Sequence, residues 1–172
     1  MKIVIINGPN LNLLGRREPS IYGSRSMEQI LVDTQRAHVD VELHYLQSNH
    51  EGDLIDWVQK YGMRDRCAED RPLNLKIGTK YLEDCEQSSL EGNEIKGIVL
   101  NAGGYTHTSV ALRDAVACCE VPVVEVHISD IHQREAFRRI SLLTDVCTHS
   151  IIGHGTDGYQ EAVEYILHRN KE

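Results

Sequence analysis

Glu125 and His127 are the pair of residues in this chain whose types best suit proton transfer. They lie two positions apart in an apolar run, and residues two apart on a β-strand project from the same face. A carboxylate beside an imidazole fixes the orientation of the ring and favours its protonated form, as a general acid near neutral pH requires. A structural ion pair would have the same spacing, so both interpretations stand at this point.

Arginines and a phenol elsewhere in the sequence would suit an anionic ligand and a second proton-transfer group. Arg17 and Tyr22 lie in a loop of about fifteen residues after the first predicted strand, where about two to six residues are usual. Long ordered loops at such a position are often lids, and a solvated surface loop is the alternative. Arg134 and Arg138 are four apart. A helix near 134–139 would place them on one face, either as a solvated basic stripe or as an anion clamp.

A glycine-rich turn supplies a further candidate site for an anion. Asn101 is followed by Ala102, Gly103 and Gly104, and His107 then precedes a predicted helix. Free N–H groups at the start of a helix attract carboxylates and phosphates.

Three other patterns fit established site types poorly. The run 153–158 matches GxGxxG, but only fourteen residues follow it, too few for the second strand of a dinucleotide-binding unit. His127, Asp130 and His132 match no standard set of metal ligands. The sequence also lacks the GxSxG motif that marks one common type of Ser-His-Asp catalysis. We therefore expect neither a metal nor a cofactor.

Alternating strand and helix patterns must position these residues. Short apolar runs predict five strands, at 3–7, 41–47, 97–101, 123–127 and 146–152. Helical spacing predicts helices at 27–38, 54–61, 109–119, near 134–139 and at 159–168. This alternation indicates one α/β domain over 1–172, a doubly wound parallel sheet with the flavodoxin-like strand order 2-1-3-4-5. Ligands of such sheets bind beyond the carboxyl ends of the strands, where the candidate residues stand.

One segment does not fit this alternation. Residues 62–93 contain three glycines, mixed charges and no sustained period. We interpret them as an insertion, which either forms a short strand and helix of its own or lacks regular structure.

Composition limits the classes of partner. The chain has 172 residues and a formal net charge of −8, which argues against nucleic acid and anionic membranes as general partners. An anionic substrate would therefore need a local cluster of arginine and histidine. No apolar stretch approaches the length of a membrane span, and the N-terminal run is too short for a signal peptide. We expect a cytoplasmic protein with reduced cysteines.

Five motifs in order along about 140 residues resemble type II 3-dehydroquinate dehydratase. They are Asn7-Gly-Pro-Asn-Leu-Asn-Leu-Leu-Gly, Arg17-Glu-Pro-x-x-Tyr22-Gly, Gln47-Ser-Asn-His-Glu-Gly, Asn101-Ala-Gly-Gly-x-Thr-His107-Thr-Ser-Val-Ala-Leu-Arg-Asp114 and Glu125-Val-His127-Ile-Ser129. The resemblance implies a flavodoxin-like fold and anti elimination of water from 3-dehydroquinate through an enolate. It also implies a mechanism without metal or Schiff base, and an assembly of trimers, typically a dodecamer.

The resemblance also implies a role for each matching residue. Tyr22 would be the base, with Arg17 beside it on the lid, and His127, oriented by Glu125, would be the acid. Asn10 would hold the water that stabilises the enolate. The implied substrate contacts are Asn101, Ile128 and Ser129 at the carboxylate, His107 and Arg138 at the hydroxyls, Arg134 as a second cation near the base, Asp114 reaching a neighbouring subunit's site, and Gly103 as a further binding residue.

The sequence departs from the family pattern at a few positions. Asp130 stands where asparagine is usual, 140–142 replace a His-Ser-Tyr run, and His154 replaces leucine. Two rival hypotheses remain for this sequence. One is a flavodoxin-like binding or regulatory protein without activity, and the other is a lyase or isomerase that acts on another cyclic hydroxy-ketone acid.

Overall fold

The protein folds around a five-stranded parallel sheet with strand order 2-1-3-4-5, as the sequence predicts. This computed structural model describes residues 1–16, 24–63 and 94–170. The lid residues Arg17 and Tyr22 and most of the predicted insertion lie outside these ranges. No helix within them is long and apolar enough to span a membrane.

Strands and helices alternate in the described ranges almost where the apolar patterns predict them. The strands are β1 (Lys2–Asn7), β2 (Glu42–Gln47), β3 (Ile95–Asn101), β4 (Val123–His127) and β5 (His149–Ile152). The α-helices are α1 (Met27–Ala37), α2 (Glu51–Gly62), α3 (Val110–Ala117) and α4 (Gly158–Arg169).

The sheet is buried on both faces because successive side chains of a strand point to opposite sides. On β1, Ile3 and Ile5 pack with residues of α1 and α4, whereas Val4 and Ile6 pack with residues of α2 and α3. The core therefore has two layers of apolar side chains, one on each side of the central strands.

Serine caps fix the starts of two helices. Ser26 accepts a hydrogen bond from the backbone of Gln29, whose side chain accepts one from the Ser26 backbone in return. Ser109 accepts from the backbone of Leu112 at 2.8 Å. The second cap begins α3 next to the glycine-rich turn, because it satisfies a backbone donor that would otherwise be unpaired.

The predicted helix near 134–139 is wrong. Two short 3₁₀ turns, Ile131–Gln133 and Ala136–Arg138, occupy this region. Arg134 and Glu135 between them have extended backbone conformations, which interrupt a helix. The first turn is capped by Asp130, whose carboxylate accepts from the His132 backbone at 2.9 Å.

The last strand also begins later than the sequence predicts, at His149 instead of Val146. The backbone N–H groups of Val146 and Cys147 both donate to the carbonyl of Leu143, so these residues form a turn. Leu143 is fully buried and holds that turn against the core.

The loops after β1 and β3 touch at the carboxyl edge of the sheet, where the chain order of the strands reverses. The Gly8 N–H donates to the carbonyl of Asn101 at 2.7 Å. A Cβ at Gly8 would overlap the carbonyl of Ala102, which is backbone and cannot turn aside. This close approach brings the two loops together as one wall of a pocket.

We expect Gly8→Ala to lower the free energy of unfolding by about 1–3 kcal/mol, because the added methyl would separate the two loops. Gly52→Ala in α2 is the matched control, since nothing lies within 4 Å of its Cβ position. Alanine there should be neutral or stabilising by up to about 1 kcal/mol. Urea denaturation of both variants measures these effects, and a Gly8→Ala protein as stable as wild type would contradict the proposed contact.

Candidate active site

A cleft of about 170 Å³ lies at the carboxyl ends of β1, β3 and β4. This volume is below the range of about 300–1,000 Å³ typical for drug-sized ligands, which favours a small substrate. Nine of the predicted site residues line it: Asn10, Asn101, Gly103, His107, His127, Ile128, Ser129, Arg134 and Arg138. Five further residues complete the described lining: Pro9, Leu11, Leu14, Gly104 and Ile131.

Behind the cleft, the fully buried carboxylate of Glu125 is surrounded by donors. Its Oε1 accepts from Thr106 at 2.6 Å and from Ser141 at 2.7 Å. Its Oε2 accepts from Thr144 at 2.8 Å and from Ser150 at 3.0 Å. Four hydroxyls from separate parts of the chain thus compensate for the lost hydration of one carboxylate.

The His127 ring completes this arrangement. Its Nε2 lies 2.8 Å from Oε1 of Glu125, so the two residues form an ion pair when the ring is protonated. The N–H is not aligned with the oxygen, and the attraction is therefore mainly between charges. Because Nε2 faces the carboxylate, Nδ1 is the nitrogen left for a ligand in the cleft.

The surroundings of Glu125 keep it ionised. Burial would raise the pKa of this carboxyl group, but the close, charged His127 ring and the hydroxyls of Ser141 and Thr106 lower it to about 2. A permanent anion at this position therefore lies next to Nε2 of the imidazole.

His107 is a second histidine in the cleft, in a different electrostatic setting. Its ring stacks with that of His127 at a centroid distance of 6.4 Å, and its Nδ1 donates to the carbonyl of Ile140 at 2.8 Å. Burial is the main cause that lowers the pKa of His107, with further contributions from the charges of His127 and Arg138. A neutral ring that donates from Nδ1 presents Nε2 as an acceptor, which suits a hydroxyl group of a ligand.

Two arginines form the cationic wall of the cleft. Arg134 donates to Ser129 Oγ at 3.2 Å. Its Nε and that of Arg138 both lie 3.4 Å from the same carboxylate oxygen of Glu135. Arg138 also lies over the Phe137 ring at 5.2 Å. The prediction that Arg134 and Arg138 act together is compatible with this arrangement, although a turn and not a helical face brings them together.

Backbone conformation shapes the opposite wall. Asn10 has φ of 66°, and it alone of the described non-glycine residues has a positive φ. Its N–H donates to the side chain of Asn49 at 2.9 Å, which holds this strained conformation. Gly103 also has a positive φ, of 57°, and its N–H donates to Oδ1 of Asn101 at 3.2 Å.

Of the predicted site residues that the structure describes, Glu125 and Asp114 do not line this cleft, since Glu125 lies buried behind it. Arg17 and Tyr22 lie outside the described residues. Asp114 is exposed on α3 and does not line the cleft of its own chain.

Asp130, which stands where the family pattern has asparagine, has a structural role. Its carboxylate accepts from the His132 backbone and from the Gln133 side chain at 2.7 Å.

Sequence reasoning missed the hydroxyls around Glu125. Thr106 lies within the glycine-rich motif and Ser141 matches the serine of the His-Ser-Tyr run, but Thr144 and Ser150 fall in segments without any recognisable chemical pattern. The usable signal was the buried glutamate itself, because a carboxylate in an apolar strand requires several donors.

Within residues 1–16, 24–63 and 94–170, no group of three His, Cys, Asp or Glu side chains is arranged to hold a metal ion.

Acid should remove the stabilisation that Glu125 provides. A depressed carboxyl pKa stabilises the folded state fully above the ordinary value of 4.5, and this contribution is lost as pH falls toward about 2. We expect wild type to lose stability across this range. Glu125→Gln should be less stable than wild type at pH 7 and have a flatter pH dependence below 4.5.

Denaturant unfolding between pH 7 and pH 2 tests this expectation, with Glu28→Gln as the control because Glu28 is exposed on α1. The control should follow the wild-type curve. Parallel pH curves for wild type and Glu125→Gln would contradict the assignment.

Comparison with known proteins agrees with this geometry. The family model "Dehydroquinase class II" matches residues 1–69 and 80–167. A 3-dehydroquinate dehydratase of Exiguobacterium is 42% identical over 97% of this chain and 94% of its own length. A catabolic 3-dehydroquinase of Phaeosphaeria nodorum is 43% identical over 95% of this chain and 89% of its own. The type II dehydroquinase structure from Butyrivibrio crossotus has a TM-score of 0.75 at 36% identity, covering 97% of each chain. The chain therefore belongs to the class II dehydroquinase family.

Proposed function

We propose that the protein is a hydro-lyase that removes water from 3-dehydroquinate to give 3-dehydroshikimate, by anti elimination through an enolate. The observation that carries this proposal is the ionised Glu125 next to His127, in a cleft that also contains two arginines. The substrate is a small carboxylate with several hydroxyls. Such a ligand needs cations, donors for its carboxylate and groups that bind its hydroxyls.

The first step is removal of a proton from the carbon next to the ketone. We assign this step to Tyr22, with Arg17 on the same loop and Arg134 at the cleft wall as the nearby cations. A free phenol has a pKa near 10, and a cation within about 4–6 Å can lower such a pKa by about 1–3 units. The negative charge then moves to the ketone oxygen, where Asn10 would hold a water molecule that donates to the enolate.

The second step breaks the bond to the hydroxyl group on the next carbon. His127 gives its proton to the departing oxygen, so that water leaves, while the electron pair of the enolate restores the ketone and forms the new double bond. Glu125 remains ionised throughout and faces the ring that gives up the proton. Nδ1 is the atom of His127 from which we expect this proton to leave, because Nε2 faces Glu125.

Substrate contacts follow from the remaining lining residues. We assign the substrate carboxylate to Asn101, Ile128 and Ser129 beside the Gly103 turn, because backbone and side-chain donors converge there. His107 and Arg138 would bind the hydroxyls. The described cleft is lined by no lysine, so its own residues offer no amine for a Schiff base.

Tyr22→Phe tests the base directly. We expect the variant to bind substrate with nearly all turnover lost, because phenylalanine cannot accept a proton. Tyr165→Phe is the control, since Tyr165 stacks on His149, which is not a cleft residue, and that variant should keep wild-type kcat. The rate of enone formation from 3-dehydroquinate measures both. A Tyr22→Phe enzyme with more than about a tenth of wild-type kcat, a barrier change under about 1.4 kcal/mol, would show that another group is the base.

We also propose that the protein works as a homo-oligomer, at least a trimer and in full a dodecamer, with Asp114 completing the site of a neighbouring subunit. Three large apolar side chains near the cleft support this: Val110, Phe137 and Ile140 are 59%, 71% and 70% exposed. The segment that carries Ile140 lies next to the start of α3, because His107 contacts the carbonyl of Ile140 and Arg113 donates to that of Leu142. Exposed apolar groups beside a cleft favour an interface.

The cytoplasmic location stays a prediction from the sequence.

Light scattering at assay concentration tests the assembly. We expect wild type to be a trimer or larger, and Val110→Glu combined with Ile140→Glu to give smaller species with reduced activity. Val39→Glu is the control, since Val39 is 78% exposed and lies in the turn between α1 and β2. A fully active wild-type monomer would refute the proposal. An active trimer would show that only the higher assembly is absent.

A further inference from the structure

Beneath the cleft, buried hydrogen bonds join Asn101 to Tyr159 and Asn7, two residues to which the proposed function assigns no role. Tyr159, the second residue of α4, is fully buried, and its hydroxyl lies between two asparagine side chains. The hydroxyl donates to Oδ1 of Asn7 at 2.9 Å and accepts from Nδ2 of Asn101 at 3.0 Å. Asn7 and Asn101 are register partners at the carboxyl ends of β1 and β3. A single phenol therefore connects the ends of two neighbouring strands.

The orientation of the Asn7 side-chain amide determines the direction of these hydrogen bonds. Nδ2 of Asn7 lies 3.3 Å from the sulfur of Met27 and 3.5 Å from the hydroxyl of Tyr45, so its oxygen faces Tyr159. The phenol must then donate to Asn7 and can only accept from Asn101. Burial raises the pKa of Tyr159, which keeps the phenol protonated and able to donate.

These hydrogen bonds determine which group of the Asn101 side chain is left for a ligand in the cleft. Oδ1 of Asn101 is occupied by the N–H of Gly103, and one Nδ2 hydrogen is occupied by Tyr159. The carboxamide has one N–H left, and Asn101 lines the cleft. The network thus presents a donor to the ligand, and a donor suits a carboxylate whereas a carbonyl oxygen would repel it.

We propose that Tyr159 is a positioning residue for substrate binding, which acts through Asn101 by keeping an N–H of its side chain directed at the substrate carboxylate. This inference rests on the proposed contact between Asn101 and the substrate. A purely structural role is the alternative, because burying a hydroxyl requires hydrogen-bond partners in any case. The two roles differ in what they change: positioning alters affinity for substrate, whereas a structural role alters stability alone.

Tyr159→Phe removes one oxygen atom and keeps the ring. We expect KM for 3-dehydroquinate to rise about tenfold while kcat stays within about threefold of wild type, since His127 and its partners do not contact Tyr159. Tyr165→Phe is the control: Tyr165 stacks on His149, and it belongs neither to the cleft lining nor to the hydrogen bonds around Tyr159. That variant should keep wild-type KM.

A double-mutant cycle with Asn101→Ala separates the possibilities. If Tyr159 acts through Asn101, then adding Tyr159→Phe to Asn101→Ala should change KM by less than about twofold. A raised KM for Asn101→Ala with an unchanged KM for Tyr159→Phe would overturn this inference and leave the proposed function intact. An unchanged KM for Asn101→Ala would overturn the contact on which it rests. A Tyr159→Phe protein that does not fold at 10 °C, judged by circular dichroism, would assign the hydroxyl to folding and also overturn it.

Discussion

The buried negative charge of Glu125 is the constraint on which the rest of the site depends. A carboxylate without contact with water is costly unless donors surround it, and here four hydroxyls do so, with the His127 ring at ion-pair distance. These donors come from the turn after β3, the loop after β4 and the strand β5. The requirement to satisfy one anion therefore couples three parts of the fold. It also decides which nitrogen of His127 is left for the ligand.

The parallel sheet is the second constraint on the site. Strands β1, β3 and β4 end side by side, so the residues that follow them meet in one cleft without further adjustment. The close contact between Gly8 and the carbonyl of Asn101 shows how little space separates the loops. Below the cleft, Tyr159 links the last residues of β1 and β3. Strands β1, β3 and β4 thus position both the charges at the cleft wall and the amides at its base. A small shift of one strand would displace both sets of groups.

Much of this could be predicted from the sequence, for physical reasons that differ between elements. The apolar runs of β1 and β4 predict buried strands, and the spacing of Glu125 and His127 follows from the two-residue period of a strand. The turns at 131–138 could not be predicted, because four-residue spacing of arginines is equally compatible with successive turns. Thr144 and Ser150 reach Glu125 only through the tertiary fold, and no local pattern marks them. The bond from Tyr159 to Asn7 joins residues at opposite ends of the chain, which a periodicity analysis cannot relate.

We expect fixed, ionised side chains of this chain to carry the dehydration without an added group. The most direct measurement is the rise in absorbance of the conjugated enone when the protein is mixed with 3-dehydroquinate. It should be made after exhaustive chelation and dialysis, and again after treatment with borohydride in the presence of substrate. We expect full activity in both cases, because the site motifs contain no lysine and match no standard set of metal ligands. Loss of activity after either treatment, or no enone at all from the untreated protein, would contradict the account.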